Sequence, residues 1–149
     1  MKKIFYTIVL MCSISIAAMA QCKNVVKKNL PKLAPFTHNG QLNSANVKSG
    51  GTVKFQISCY TGLTYRVAVC GEDELGKLTF RVVDENNKEV FNSASNNNAS
   101  SWDFNVGSSQ ELTVEVSAPA NPKSISGCAA LLVGFSEPSN NGGGGMRRM

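Results

Sequence analysis

The stretch VKFQISCYTGLTYRVAVC, residues 53–70, decides the fold, because apolar and polar side chains alternate on both sides of a turn. Alternation with a period of two is typical of half-buried β-strands, and Thr61-Gly62 favours a tight turn between them. The stretch therefore predicts two strands joined by a hairpin near Gly62. The side chains that share the apolar faces are Val53, Phe55, Ile57, Tyr65, Val67 and Val69.

The same alternation recurs further along the chain, at residues 78–83, around Val90, at 102–106 and at 112–116. Residues 128–135 are nearly all apolar, which is typical of a strand buried on both faces. Trp102 is in phase with its apolar neighbours, so we expect it in the core. Seven short strands separated by turn residues predict an all-β domain at 52–137, an antiparallel jelly-roll-like sandwich.

The amino-terminal residues 1–20 have the features of a secretory signal peptide: a basic start, an apolar core and small residues at Ala18 and Ala20. We expect cleavage before Gln21, no transmembrane segment afterwards, and a periplasmic or extracellular address. Attachment of lipid to Cys22 is disfavoured, because Gln21 stands where lipoprotein signals have a small residue. Residues 21–51 are predicted to be a lead-in that is extended or forms a short helix at 22–33, and residues 138–149 a flexible glycine-rich tail.

Charge is concentrated near the ends of the chain. The whole sequence carries +5, whereas the segment from Gly40 to Asn140 has seven basic and ten acidic residues. A nucleic-acid-binding protein would place a basic stripe on its folded face, so we expect no nucleic-acid partner.

The segment Tyr60–Cys70, followed much later by Gly127-Cys128 and an apolar strand, resembles small exported bacterial β-sandwich proteins. The strand order over about 50–136 is similar to that of bacterial pre-peptidase C-terminal domains. That family typically carries Asp-x-Asp-Leu at a strand start, where this chain has Gly76-Lys77-Leu78-Thr79-Phe80. The resemblance therefore implies a non-catalytic accessory module of the cell envelope, without the calcium or substrate role.

The residues do not predict catalysis. The sequence has one histidine, His38, and no Gly-x-Ser-x-Gly nucleophile motif with which it could form a catalytic triad. One histidine cannot build a zinc hydrolase site. Glu111 and Glu115 lie about 13 Å apart along one strand. A glycosidase needs its two carboxyl groups at roughly 5 to 9.5 Å. We therefore expect no catalytic residue, no metal and no cofactor.

Four cysteines follow the predicted cleavage site, and an exported chain favours their oxidation. Because successive side chains of a strand point to opposite faces of the sheet, Cys70 and Cys128 are expected on corresponding faces of neighbouring strands. This predicts a disulfide between them. A hairpin at Gly62 would leave Cys59 too far from Cys70. Cys59 is then either free or joined to Cys22.

Loop lengths predict where binding occurs. The connections at 60–63, 84–87 and 107–109 are short, and those at 71–76, 92–100 and 117–126, at the opposite end, are longer. Long loops on a rigid sandwich are the usual place for recognition. The sequence predicts a non-enzymatic accessory protein that binds an envelope protein or a glycan, with a carbohydrate-binding or adhesin-like module as the alternative. The candidate binding residues are Glu72, Asp73, Glu74, Asn96, Asn97, Asn98 and Asn121.

Overall fold

The computed structural model describes residues 17–138 and shows an all-β sandwich with one helix. Most of the predicted signal peptide and all but the first residue of the predicted tail lie outside the described residues. The helix α1 spans Ala17–Asn29, and 3-10 helices follow at Leu30–Leu33 and Asp73–Leu75. Among the described residues, no helix is long and apolar enough to cross a membrane. The strands are β1 Thr37–His38, β2 Asn43–Lys48, β3 Thr52–Cys59, β4 Thr64–Gly71, β5 Thr79–Val83, β6 Glu89–Asn92, β7 Ser101–Asn105, β8 Gln110–Ser117 and β9 Ser126–Ser136.

Two antiparallel sheets form the layers, as predicted. The five-stranded sheet has the order β1-β9-β4-β7, with β2 also paired to β9, and the four-stranded sheet has the order β3-β8-β5-β6. The predicted hairpin at Gly62 is wrong, because β3 and β4 belong to different sheets. Thr61-Gly62 carries the chain across the sandwich, and the Gly62 N–H donates to the carbonyl of Val106.

Strands β1 and β2 lie in the segment that the sequence suggested as a lead-in. Only Val47 of β2 is buried, and the rest of the strand is polar or small. The sequence of β2 therefore lacks the apolar alternation from which a strand is predicted. Main-chain pairing holds this edge in place, because all six residues of β2 align with β9. The sandwich therefore begins before residue 52.

The core lies between the inner faces of the two sheets, where Val67, Val82, Val114 and Leu131 are fully buried. Trp102 is half-buried against this core and stacks on Phe104 with 4.2 Å between ring centroids. Trp102 therefore packs at the edge of the core and is not fully buried within it, so the expectation is met only in part.

Helix α1 covers the outer face of the five-stranded sheet. Val26 of α1 and Leu33 of the 3-10 helix that follows it are 2% exposed and pack on Ala68, Ala130 and Leu132. Small alanines let the helix approach the sheet closely. Strand β9 is consequently buried on both faces, which confirms the prediction from its unbroken apolar run.

Arg66 fixes the segment that follows the helix. Its guanidinium makes two hydrogen bonds to the Asp103 carboxylate, at 2.7 and 2.6 Å, and a third to the carbonyl of Ala34 at 2.7 Å. It also lies 4.5 Å from the centre of the Phe36 ring. A charge-assisted bidentate pair of this kind ties the lead-in to the sheet.

The predicted Cys70–Cys128 disulfide is wrong: the structure joins Cys22 to Cys128, with 5.4 Å between their Cα atoms. The faces were predicted correctly, but the register places Cys70 opposite Ala130. Cys128 is then a diagonal neighbour at roughly 7–8 Å, beyond the usual disulfide span. Helix α1 instead brings Cys22 onto Cys128.

The second pair that the sequence left open, Cys22 with Cys59, is also excluded. Cys59 belongs to β3 and is buried in the core on the inner side of the other sheet. Cys59 and Cys70 are both buried free thiols.

The outer face of the four-stranded sheet carries a cross-strand ion network. Glu115 accepts hydrogen bonds from Arg81 and pairs with Lys54 at 2.8 Å. Hydrogen bonds from Lys54 and then Arg81 hold the pKa of Glu115 below its ordinary value. The stabilisation is therefore present above the unfolded carboxyl pKa of roughly 4.3 and is lost as the pH falls through the lower folded value.

We expect Glu115→Gln to lower the free energy of unfolding by about 1 kcal/mol near neutral pH. The difference should shrink in acid, because protonation makes the Glu115 carboxyl neutral, as the glutamine amide already is. Urea unfolding near neutral pH and near pH 3 measures this difference. Glu111→Gln, at an exposed position of the same strand, is the matched control. A Glu115→Gln effect that does not shrink in acid contradicts the assignment.

Candidate binding site

The three longer connections, residues 72–78, 93–100 and 118–125, leave the same end of the sandwich. A Cβ on Gly76 would come within 3.1 Å of Pro119, so the first and third of these loops touch. The carbonyl of Ser100 accepts a hydrogen bond from the N–H of Val69, near the end of β4. This end, called the long-loop end below, contains all the residues that the sequence suggested for binding.

The acidic loop 72–76 is held firmly. Glu72 Oε2 accepts the backbone N–H of Cys128 at 2.8 Å, so this carboxylate serves the fold. Leu75 is 1% exposed and anchors the loop in the core. Gly76, with a φ of +78°, ends the 3-10 helix in a conformation that favours glycine. Asp73 and Glu74 are exposed between these anchor points.

A groove of about 570 Å³ separates this loop from helix α1, and it is called the charged groove below. Its volume falls within the roughly 300–1,000 Å³ typical of ligand pockets. The helical wall is basic and the loop wall is acidic, with β4 at the base. The lining residues are Val25, Lys28, Asn29, Lys32, Cys70, Gly71, Glu72, Asp73 and Glu74.

No ion pair joins the two charged walls of the groove among the described residues. The ion pairs among the described residues involve Lys54, Arg66 and Arg81, and none joins Lys28 or Lys32 to the acidic loop. Four unpaired charges of both signs therefore face the groove: two lysines, Asp73 and Glu74.

The Cys70 thiol at the base of the groove is not a nucleophile at neutral pH. Burial raises its pKa to about 11, although the nearby charge of Lys32 acts in the opposite direction. Burial also raises the pKa of the Cys59 thiol to about 11. Both thiols remain protonated, and a protonated thiol does not attack.

The predicted asparagines do not line the groove, because they shape the neighbouring turns. Asn97 and Asn98 have left-handed backbones, with φ of 54° and 51°, which asparagine tolerates well. Asn96 Nδ2 donates to the carbonyl of Asn92 at 2.7 Å. Asn121 Oδ1 accepts the backbone N–H of Lys123 at 2.9 Å.

The basic wall was not predicted, because the sequence shows only that basic residues are concentrated near the ends of the chain. The available signal was the spacing of Lys28 and Lys32, because residues four apart would share one face of the helix predicted at 22–33. In the structure, Lys28 belongs to α1 and Lys32 to the 3-10 helix that follows it. Which loop would lie opposite that face could not be read from the sequence.

No protein-family model matches this chain, and no curated protein matches it either. The resemblance to pre-peptidase C-terminal domains therefore stays a prediction. Among solved structures, the chain is similar to Aeromonas hydrophila PliG, described as a periplasmic lysozyme inhibitor of g-type lysozyme. The two are 16% identical with a TM-score of 0.45, and the match covers 64% of this chain and 88% of that chain. This likeness is too distant to carry an argument about function.

Proposed function

We propose that this protein is a non-enzymatic, exported binding protein of the cell envelope, and that the charged groove recognises a protein partner. The observation that carries the proposal is the presence of two facing walls of opposite charge without an ion pair between them. A peptide segment that bears both acidic and basic side chains would satisfy both walls. Such complementarity provides specificity and speeds association.

The groups that could act in catalysis have other roles here. Glu72 holds the backbone of Cys128, and Glu115 is tied into the ion network on the far sheet. His38 Nδ1 accepts the backbone N–H of Gly40, at the edge strand β1. These arrangements support binding rather than chemistry.

The disulfide supports plain export. Cys22 follows the predicted cleavage site by one residue, and its sulfur is bonded to Cys128. A sulfur in a disulfide cannot also carry the thioether-linked lipid of a lipoprotein. Stable disulfides also belong to oxidising compartments.

Charge reversal in the groove tests the proposal. We expect Lys32→Glu and Asp73→Lys each to weaken capture of the partner from native envelope extract by about tenfold or more, since a charge-assisted contact is worth roughly 1.5–3 kcal/mol. Capture should also weaken with rising salt. Quantitative mass spectrometry of the proteins retained on the immobilised full chain is the measurement.

Two further variants sharpen this experiment. Asn86→Ala, in the β5–β6 turn at the opposite end, should capture as the unmodified protein does. Asn97→Gly removes an amide side chain while keeping the left-handed backbone, so a loss of capture would extend the surface to loop 93–100. If Asn86→Ala abolishes capture, or if both charge reversals leave it unchanged, the groove is not the recognition surface.

A further inference from the structure

A second pocket lies at the other end of the sandwich, where β1 and β3 border the gap between the two sheets. Its volume is about 310 Å³, at the lower end of the range for small-molecule sites. Among the described residues, none that lines it is charged. The rings of Tyr60, Tyr65 and Phe135 form its apolar part, and Asn39, Gln41 and Ser58 supply amide and hydroxyl groups.

Tyr60 is the exposed wall of this pocket. Its side chain is 61% exposed although it directly follows the buried Cys59 of β3. The aromatic pairs among the described residues do not include Tyr60. One face of a large ring is thus available at the pocket mouth.

Tyr65 forms the buried part. It is 3% exposed, and its hydroxyl oxygen accepts the backbone N–H of Tyr60 at 3.0 Å. Within the described part of the chain, no acceptor takes the hydrogen of that hydroxyl. The hydroxyl hydrogen is therefore available for a hydrogen bond to a ligand oxygen in the pocket.

The amides at the rim are hydrogen-bonded to each other. Asn39 Nδ2 donates to Gln41 Oε1 at 3.1 Å, and the backbone N–H of Gln41 donates to Asn39 Oδ1 at 3.0 Å. The Gln41 amide nitrogen keeps its two hydrogens for a ligand. Planar amides of this kind donate to and accept from hydroxyl groups.

We propose that this pocket binds a ring of an uncharged saccharide. The apolar face of a sugar ring would stack on Tyr60, while its hydroxyl oxygens would accept from Tyr65 and Gln41. An anionic or cationic ligand would be desolvated there without a counter-charge, and a purely apolar ligand would leave the Tyr65 donor unpaired. The site shares no residue with the charged groove and goes beyond the function proposed above.

The test uses cellotetraose and chitotetraose as uncharged probes, with binding to the full chain followed by NMR titration and calorimetry. At least one probe should bind at millimolar concentration and shift the signals of Tyr60 and Gln41. Tyr60→Ala should weaken binding about tenfold, whereas Tyr60→Phe, which keeps the ring, should stay within about twofold. Tyr65→Phe should also weaken it, provided that its unfolding midpoint shows that the domain is intact.

Asp73→Lys separates this proposal from the previous one, because it should leave saccharide binding unchanged. Failure of both probes to bind overturns the saccharide site. Equal binding by Tyr60→Ala overturns it too, since the ring would then play no part. Either result leaves the charged groove unaffected.

Discussion

Removal of the Cys22–Cys128 disulfide is expected to lower the free energy of unfolding by about 4–5 kcal/mol in the chain-entropy account. The two cysteines are 106 residues apart, so the bond closes a long loop in the unfolded chain. It also holds helix α1 against the outer face of the five-stranded sheet. Urea unfolding of the oxidised protein, with and without reductant, and of Cys22→Ser measures the loss.

Cys70→Ala is the control for this prediction, since it removes a buried thiol beside the same helix but leaves the disulfide intact. We expect it to cost only about 1 kcal/mol. Reductant should affect Cys70→Ala as strongly as it affects the unmodified protein. If reduction leaves the urea midpoint unchanged while peptide mapping confirms the bond, the disulfide does not stabilise the domain.

Leu75→Ala is expected to cost about 2–5 kcal/mol, because it opens a cavity beneath the acidic loop. Leu75 packs so closely on β9 that a Cβ on Gly127 would lie 3.0 Å from its Cγ atom. Loss of this anchor should also loosen Asp73 and Glu74, so partner capture should fall together with stability. Chemical unfolding and the capture assay are measured on the same preparation.

The matched control is Leu42→Ala, which removes the same side chain where it is 59% exposed. We expect a change within about 0.5 kcal/mol there. Equal costs at the two leucines would show that the acidic loop is not anchored through Leu75.

The layers of the sandwich could be predicted because burial on one face leaves a period-two signature in the sequence. Residues 128–135 predicted more than a strand, because their unbroken apolar run indicated that another element covers the outer face of β9. The cover is helix α1 with the 3-10 helix after it, in the part of the lead-in where the sequence allowed a short helix at 22–33.

The pairing of the strands could not be predicted from the sequence. The period of two shows which face of the sheet each side chain is on, but it does not show which residue of the neighbouring strand lies opposite. The prediction placed Cys128 opposite Cys70, whereas the structure places Ala130 there, two residues further along the strand. The turn at Gly62 likewise suits a hairpin and a crossing between sheets equally well. Strand β2 left no signature, because an edge strand held by main-chain pairing needs few apolar side chains.

The candidate site was half predictable. Loop length and charge indicated the acidic wall at Glu72, Asp73 and Glu74, since both are properties of one segment. The opposing lysines come from α1 and the 3-10 helix after it, at least 40 residues earlier in the chain. Only the docking of this helical segment brings Lys28 and Lys32 into the same groove. The asparagines were predicted to bind a partner, but the side-chain hydrogen bonds of Asn96 and Asn121 stabilise turns.

The pairing of Cys22 with Cys128 also bears on the order of events during export. Cys22 is the first cysteine of the predicted exported chain and Cys128 is the last. A polypeptide that crosses a membrane amino end first exposes Cys22 to oxidants well before its native partner arrives, with only Cys59 and Cys70 to meet. A premature bond to either thiol must later be exchanged. We therefore expect a disulfide isomerase to raise the yield of protein that carries the Cys22–Cys128 bond.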